Sequence, residues 1–209
     1  MSTYLHPVTP AGLSQALTVL CQKIVPSSAP PVYVDARPLQ GAQIRECFPI
    51  VEQYVEIHGG SSVIGWSLWE LPTLFIEAEF HAIWQSPDGV LLDIAPKAEP
   101  TERILFLSDP TRKYEGCQVN NFRVPLRQDP AVIGFLQACD EEYKFLNRGE
   151  RAGQHELRLE GAEVAEYQRI QMTKAQFQLQ VLPLFPVVGP YSPCLCGSGK
   201  KAKWCHGVT

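Results

Sequence analysis

Apolar residues change their period several times along the chain, and each change marks an element. Leu13, Leu17, Leu20, Cys21 and Ile24 fall on one face at helical spacing, which predicts a helix over roughly 10–24 with Thr9 placed to cap its first amides. Pro26 to Pro31 interrupts this pattern, and Val32 to Asp35 reads as a short strand. Helical spacing returns from Cys47 to Ile57 and stops at Gly59-Gly60. Strand-like runs then follow closely: 62–69, 74–84, 90–94 and 104–107. Pro87-Asp88-Gly89 reads as a hairpin turn, so the strands on either side of it are expected to be antiparallel neighbours. After Arg123 the period is helical again, over 130–145 and 163–180. The pattern predicts an α+β body over residues 1–181, an antiparallel sheet with helices packed on it, followed by a proline-rich linker over 182–192 and a short tail over 193–209.

Composition narrows the function. With 209 residues, 45% of them apolar and 10% aromatic, the chain can bury one core of ordinary domain size. A net charge of -4, with no long basic stretch outside the tail, argues against a specific nucleic-acid binder. Met1-Ser2-Thr3-Tyr4 has neither a basic n-region nor an apolar h-region, and no run approaches the length of a membrane span. Seven cysteines, an odd number without secretory context, point to a reducing cytoplasm.

Three of those thiols stand with one imidazole in the tail. Cys194, Cys196, Cys205 and His206 supply four N/S donors, which is what a closed tetrahedral zinc site requires. Gly197 and Gly199 permit the sharp turn after the first pair, and Lys200, Lys201 and Lys203 offset the negative charge of a Cys3His centre. The segment Cys194-Leu195-Cys196-Gly197-Ser198-Gly199-Lys200-Lys201, with Cys205-His206 beyond it, resembles the SEC-C motif, the zinc-binding tail of the preprotein translocase ATPase SecA that also occurs on many bacterial proteins. The resemblance implies that Cys194, Cys196, Cys205 and His206 ligate a structural Zn2+. It also implies that the tail docks to a protein partner, with the ribosome and a secretion chaperone among the candidates. Leu195 and Ala202 stand where the motif often has proline and an aromatic residue, and neither position carries a ligand.

The body holds a second constellation. Cys47 begins a predicted helix, where unsatisfied amides and the helix dipole favour a thiolate. His81 and Asp93 lie on the two strands of the predicted hairpin, where an imidazole can be oriented by a carboxylate. Together they have the logic of nucleophile, base and orienting acid. Taken singly, each also has a structural reading: a small buried hydrophobe for Cys47, a satisfied core histidine for His81 and a turn cap for Asp93.

The order of residues is also similar to the transglutaminase-like branch of the papain-like superfamily. His81-Ala82-Ile83-Trp84 and Asp93-Ile94-Ala95-Pro96 stand where that branch has His-Ala-Trp and a strand ending in Asp-Pro. Gly59-Gly60, Val63 and Gly65-Trp66 stand where it has a glycine turn and a Val-x-Gly strand. The resemblance spans roughly residues 40–96. It implies a papain-like core and a Cys47-His81-Asp93 triad, with Gln43 or Gln40 as the side-chain donor of an oxyanion hole, although neither has the spacing found in papain itself. Glu77 and Glu79 alternate with apolar neighbours and read as a solvated strand face.

Two classes of function follow. One is a zinc-tailed adaptor whose body binds a partner. The other is a cysteine hydrolase or acyltransferase acting on amide or thioester bonds, with the tail as its recruiting device.

Overall fold

The structure, a computed structural model, describes residues 7–27, 29–154, 157–185, 189–194 and 199–204. Helix α1 (Gln15–Ile24) begins at Gln15 rather than near Pro10, because Ser14 and not Thr9 is its cap: the Ser14 hydroxyl oxygen accepts from the Leu17 amide at 3.2 Å. Tertiary pairing displaces the expected start. Val8 and Glu70 exchange backbone hydrogen bonds at 2.8 and 2.9 Å, and the Thr9 hydroxyl donates to the Arg103 carbonyl at 2.8 Å. The segment before α1 is thereby held extended.

The chain continues through β1 (Val32–Ala36), α2 (Cys47–His58), β2 (Ser61–Leu71), β3 (Phe75–Gln85), β4 (Leu91–Asp93), β5 (Arg103–Ser108), β6 (Phe122–Pro125), α3 (Pro130–Leu146) and α4 (Ala162–Val181). The strand order is β2-β5-β1-β4-β3-β6, and β2 also pairs with β3. Five strands therefore close on themselves as a barrel, with β6 attached to β3 outside the ring. The expectation of an antiparallel sheet is corrected in two ways. The sheet is closed, and β1 runs parallel to β4, with Asp35 opposite Leu92 and Ala36 opposite Asp93. Closure removes two open edges that a flat sheet of these strands would present.

Two glycines allow close approaches. Gly60 sits at φ +84 between α2 and β2, and a Cβ there would lie 2.1 Å from the Gln85 carbonyl oxygen. A Cβ on Gly65 would lie 2.2 Å from the carbonyl oxygen of Leu107 on the neighbouring β5. Only glycine fits either position. Val34, Ile83, Ile104 and Phe106 form a buried cluster among the barrel strands, flanked by Val63, Trp69 and Leu91.

The chain divides into two compact units: residues 6–70 with 77–114, and residues 1–5 with 71–76 and 115–209. The first holds α1, α2 and most of the barrel. In the second, Asp129 caps α3 through the Ala131 amide at 2.9 Å with Pro130 in the first turn, where its missing N–H costs nothing. Ala131, Val132 and Leu136 of α3 pack with Leu71, Leu74, Phe75 and Val181, and Leu184 and Phe185 join them. The start of the proline-rich segment is thus part of an apolar cluster.

In the described part of the tail, the Cys194 amide donates to the Lys200 carbonyl at 2.9 Å and the Ala202 amide to the Ser192 carbonyl at 3.0 Å, with Gly199 at φ +74. Cys194 is buried. The other three expected zinc ligands, Cys196, Cys205 and His206, lie outside the described residues. Among the described residues, no group of three or more His, Cys, Asp or Glu side chains is arranged to hold a metal, and no helix is long and apolar enough to cross a membrane.

Candidate active site

Three elements of the barrel unit bring the site together. β3 and β4 pair antiparallel with Trp84 opposite Leu92 and Gln85 opposite Leu91. One further step of that register sets Asp93 across from Ile83, and His81, two residues along β3, lies diagonally from it on the same face. The His81 Nε2 is 2.9 Å from the Asp93 Oδ1. Both side chains are withdrawn from solvent, His81 at 4% exposure and Asp93 at 0%.

α2 supplies the thiol. Its far end is pinned, since the Trp84 indole donates to the Gly59 carbonyl at 2.9 Å and the Gly59 amide to the Val55 carbonyl at 2.8 Å. Near its start, Phe48 packs on Phe80, the neighbour of His81, with ring centroids 5.1 Å apart, and stacks on Tyr114 at 3.9 Å. Cys47 opens the helix, is half-buried and hydrogen-bonds His81. Asp93 and Lys97 both approach the Nε2 of the ring and leave Nδ1 open on its other side. The preceding turn bends through Gly41 at φ 80 and Arg45 at φ 70, a left-handed conformation uncommon for a residue with a side chain.

Lys97 was not apparent from sequence. Its Nζ lies 2.6 Å from the Asp93 Oδ2, 3.2 Å from the Ala95 carbonyl and 3.2 Å from the His81 Nε2. The contact with Asp93 is an ion pair rather than an aligned hydrogen bond. The signal available was the four-residue spacing of Asp93 and Lys97, but Pro96 between them argued against reading the pair as helical. The Asp93 Oδ1 also accepts from the Ala95 amide at 3.3 Å.

The electrostatics follow from these partners. Burial and the charge of Lys97 both favour neutral imidazole, but the hydrogen bonds to Asp93 and Cys47 and the carboxylate charge outweigh them, and the His81 pKa rises to about 9. Burial pushes the Asp93 carboxyl up, and its contacts with His81 and Lys97 overcome this to hold it below the usual carboxylate range. At neutral pH the site therefore contains an imidazolium beside Cys47, a carboxylate behind the imidazolium and the Lys97 side chain on the carboxylate. With His81 protonated, its Nε2–H donates to Asp93, and the approach of Lys97 to the same nitrogen is a cation–cation contact made tolerable by the carboxylate both share.

Gln40 and Gln43 are exposed on the loop before α2, and among the described residues neither amide is hydrogen-bonded to Cys47 or His81. Backbone groups are better placed to receive negative charge. Glu46 makes no side-chain cap, and the first turn of α2 contains Pro49, which has no N–H. The Ile50 amide is already taken by the Glu46 carbonyl at 3.1 Å, so the Cys47 and Phe48 amides stand ahead of the helical ladder. Trp66 is core, its indole donating to the Asp109 Oδ2 at 3.0 Å, and Glu79 is tied to the Trp69 indole at 3.0 Å. Compared with known proteins, the chain matches no family, no curated protein and no solved structure.

Proposed function

We infer that the barrel unit is a cysteine-dependent acyl-transfer enzyme acting on amide or thioester bonds, with Cys47 as nucleophile, His81 as acid and base, and Asp93 as its orienter. The observation that carries this is a buried imidazole anchored through Nε2 to a carboxylate at 2.9 Å, with a half-buried thiol at a helix start near enough to raise the imidazole pKa. A structural histidine–aspartate pair has no need of that thiol.

In the first half-reaction Cys47, as the thiolate of a thiolate–imidazolium pair with His81, attacks the acyl carbon and an S–C bond forms. The C–N or C–S bond to the leaving group breaks, and His81 passes its proton to the departing nitrogen or sulfur. In the second, His81 takes a proton from water or an acceptor amine as that group attacks the thioester, and Cys47 leaves as thiolate. The oxyanion of each tetrahedral intermediate falls to the Cys47 and Phe48 amides at the positive end of α2. Gln43 and Gln40 are secondary donors that would have to swing in.

The tail has a separate role in this reading. Cys194, Cys196, Cys205 and His206 would hold a structural zinc, whose four protein ligands leave no open coordination position for chemistry. The donor set fits the ion, and next to the first donor the Cys194 amide donates to the Lys200 carbonyl at 2.9 Å. By its resemblance to SEC-C tails, this knuckle recruits the enzyme to a protein partner.

The enzyme reading is tested by alkylation. Iodoacetamide at about pH 6 is expected to modify Cys47 well before the exposed Cys117, and His81→Ala is expected to abolish that preference. Equal labelling of the two cysteines in the wild-type protein would reject the reading.

A further inference from the structure

Lys97 is the side chain that the triad does not explain. Its side chain is only 14% exposed, and its ammonium rests on a carboxylate that is fully buried. Burying a lysine is costly unless its charge is matched, and a triad of cysteine, histidine and aspartate does not itself need a cation. The groups that face His81 are Cys47 from α2, Asp93 from β4 and Lys97 from the loop after β4.

We propose that Lys97 is a positioning residue that balances the charge of the centre: by pairing the second oxygen of Asp93 it leaves His81 able to release its proton to the leaving group. This rests on Cys47 and His81 being the reacting pair. The charge count supports it. With thiolate, imidazolium, carboxylate and ammonium all present, two anions face two cations and the buried group is neutral. Without Lys97 the same reactive state carries an uncompensated negative charge, and the whole of the Asp93 field falls on His81. His81 then holds its proton more tightly and becomes a poorer acid. The distances fit this division of labour, since Nζ is closer to Asp93, at 2.6 Å, than to His81, at 3.2 Å.

The test uses the full chain and iodoacetate, an anionic reagent drawn to the imidazolium. The rate of Cys47 modification should rise and then fall with pH, and its alkaline limb reports the loss of the His81 proton. In the wild type that limb is expected near pH 9. In Lys97→Met it is expected to move up by about one pH unit, while Lys97→Arg, which keeps the charge, leaves it within a few tenths of a unit. A Lys97→Met limb that does not move, whatever the rate, overturns the proposal and leaves Lys97 a structural residue. Should Lys97→Met lose its native near-ultraviolet circular dichroism, Lys97→Gln is measured in its place, and loss of the fold in both neutral variants also overturns it. A wild-type profile without the alkaline fall rejects the Cys47–His81 reading itself, an outcome distinct from a wild-type fall that Lys97→Met fails to shift.

Discussion

His81 binds its proton more tightly in the folded chain than its ordinary pKa of 6.5 would give, and the sign of the consequence is fixed. Its contribution to stability is fully present below 6.5 and is lost as pH rises through about 9. Asp93 runs the other way: its contribution is present above the ordinary 3.8 and is lost as pH falls through its lowered pKa. Urea unfolding at about pH 6 and about pH 9.5 should therefore show a stability loss in the wild type that is smaller in Asp93→Asn. Asp93→Asn should itself cost about 3 kcal/mol or more at neutral pH, because it strands the Lys97 charge and removes the partner that holds His81 protonated. Cys47, His81 and Asp93 were legible in the sequence because each belongs to a residue type with few roles and the turn at Pro87-Asp88-Gly89 fixed which strands meet. Lys97 was not, since its partner is reached around the bend at Ala95 rather than along a helix or across a ladder.

At the level of elements, hydrophobic periodicity located the long helices and strands well, and it failed where tertiary pairing overrode local preference. Thr9-Pro10 has the form of a helix start, yet Val8 pairs with Glu70 and the cap passes to Ser14. Ser14→Ala is accordingly expected to lower stability by about 1 kcal/mol, measured by urea unfolding, as loss of a helix cap does. β6 went unseen because it is four residues long, ends in proline and is tied in beside Leu74 through the Leu126 amide at 2.8 Å. The parallel pairing of β1 with β4 was also hidden, since the two strands are far apart in sequence and no turn joins them. Gly60 was read as a helix stop and as part of a glycine turn, not as a point of close backbone approach. Its left-handed φ and the 2.1 Å approach to the Gln85 carbonyl make Gly60→Ala a test of how the end of α2 is seated. A loss of more than about 2 kcal/mol is expected in the same unfolding measurement, combining left-handed strain with a backbone clash.

Over the whole molecule, composition indicated a core and a tail but not where one gives way to the other. The linker expected from 182 onward contributes Leu184 and Phe185 to the cluster around Leu74 and Val132, because apolar residues between prolines still seek burial. Ending the chain after residue 188 should leave its unfolding midpoint nearly unchanged, whereas ending it after Val181 should lower the midpoint clearly, since Leu184 and Phe185 are removed. Closure of the sheet into a barrel was likewise beyond periodicity, which reports one strand at a time. The chemistry assigned to that barrel unit is most directly tested by trapping the acyl-enzyme. The full chain is mixed with an aryl thioester, quenched within seconds and mapped by peptide mass spectrometry. The expected result is a single acyl group on Cys47 in the wild type and none in His81→Ala. Acylation of Cys47 that is undiminished in His81→Ala, or acyl groups spread over Cys117 and the other thiols, would contradict it.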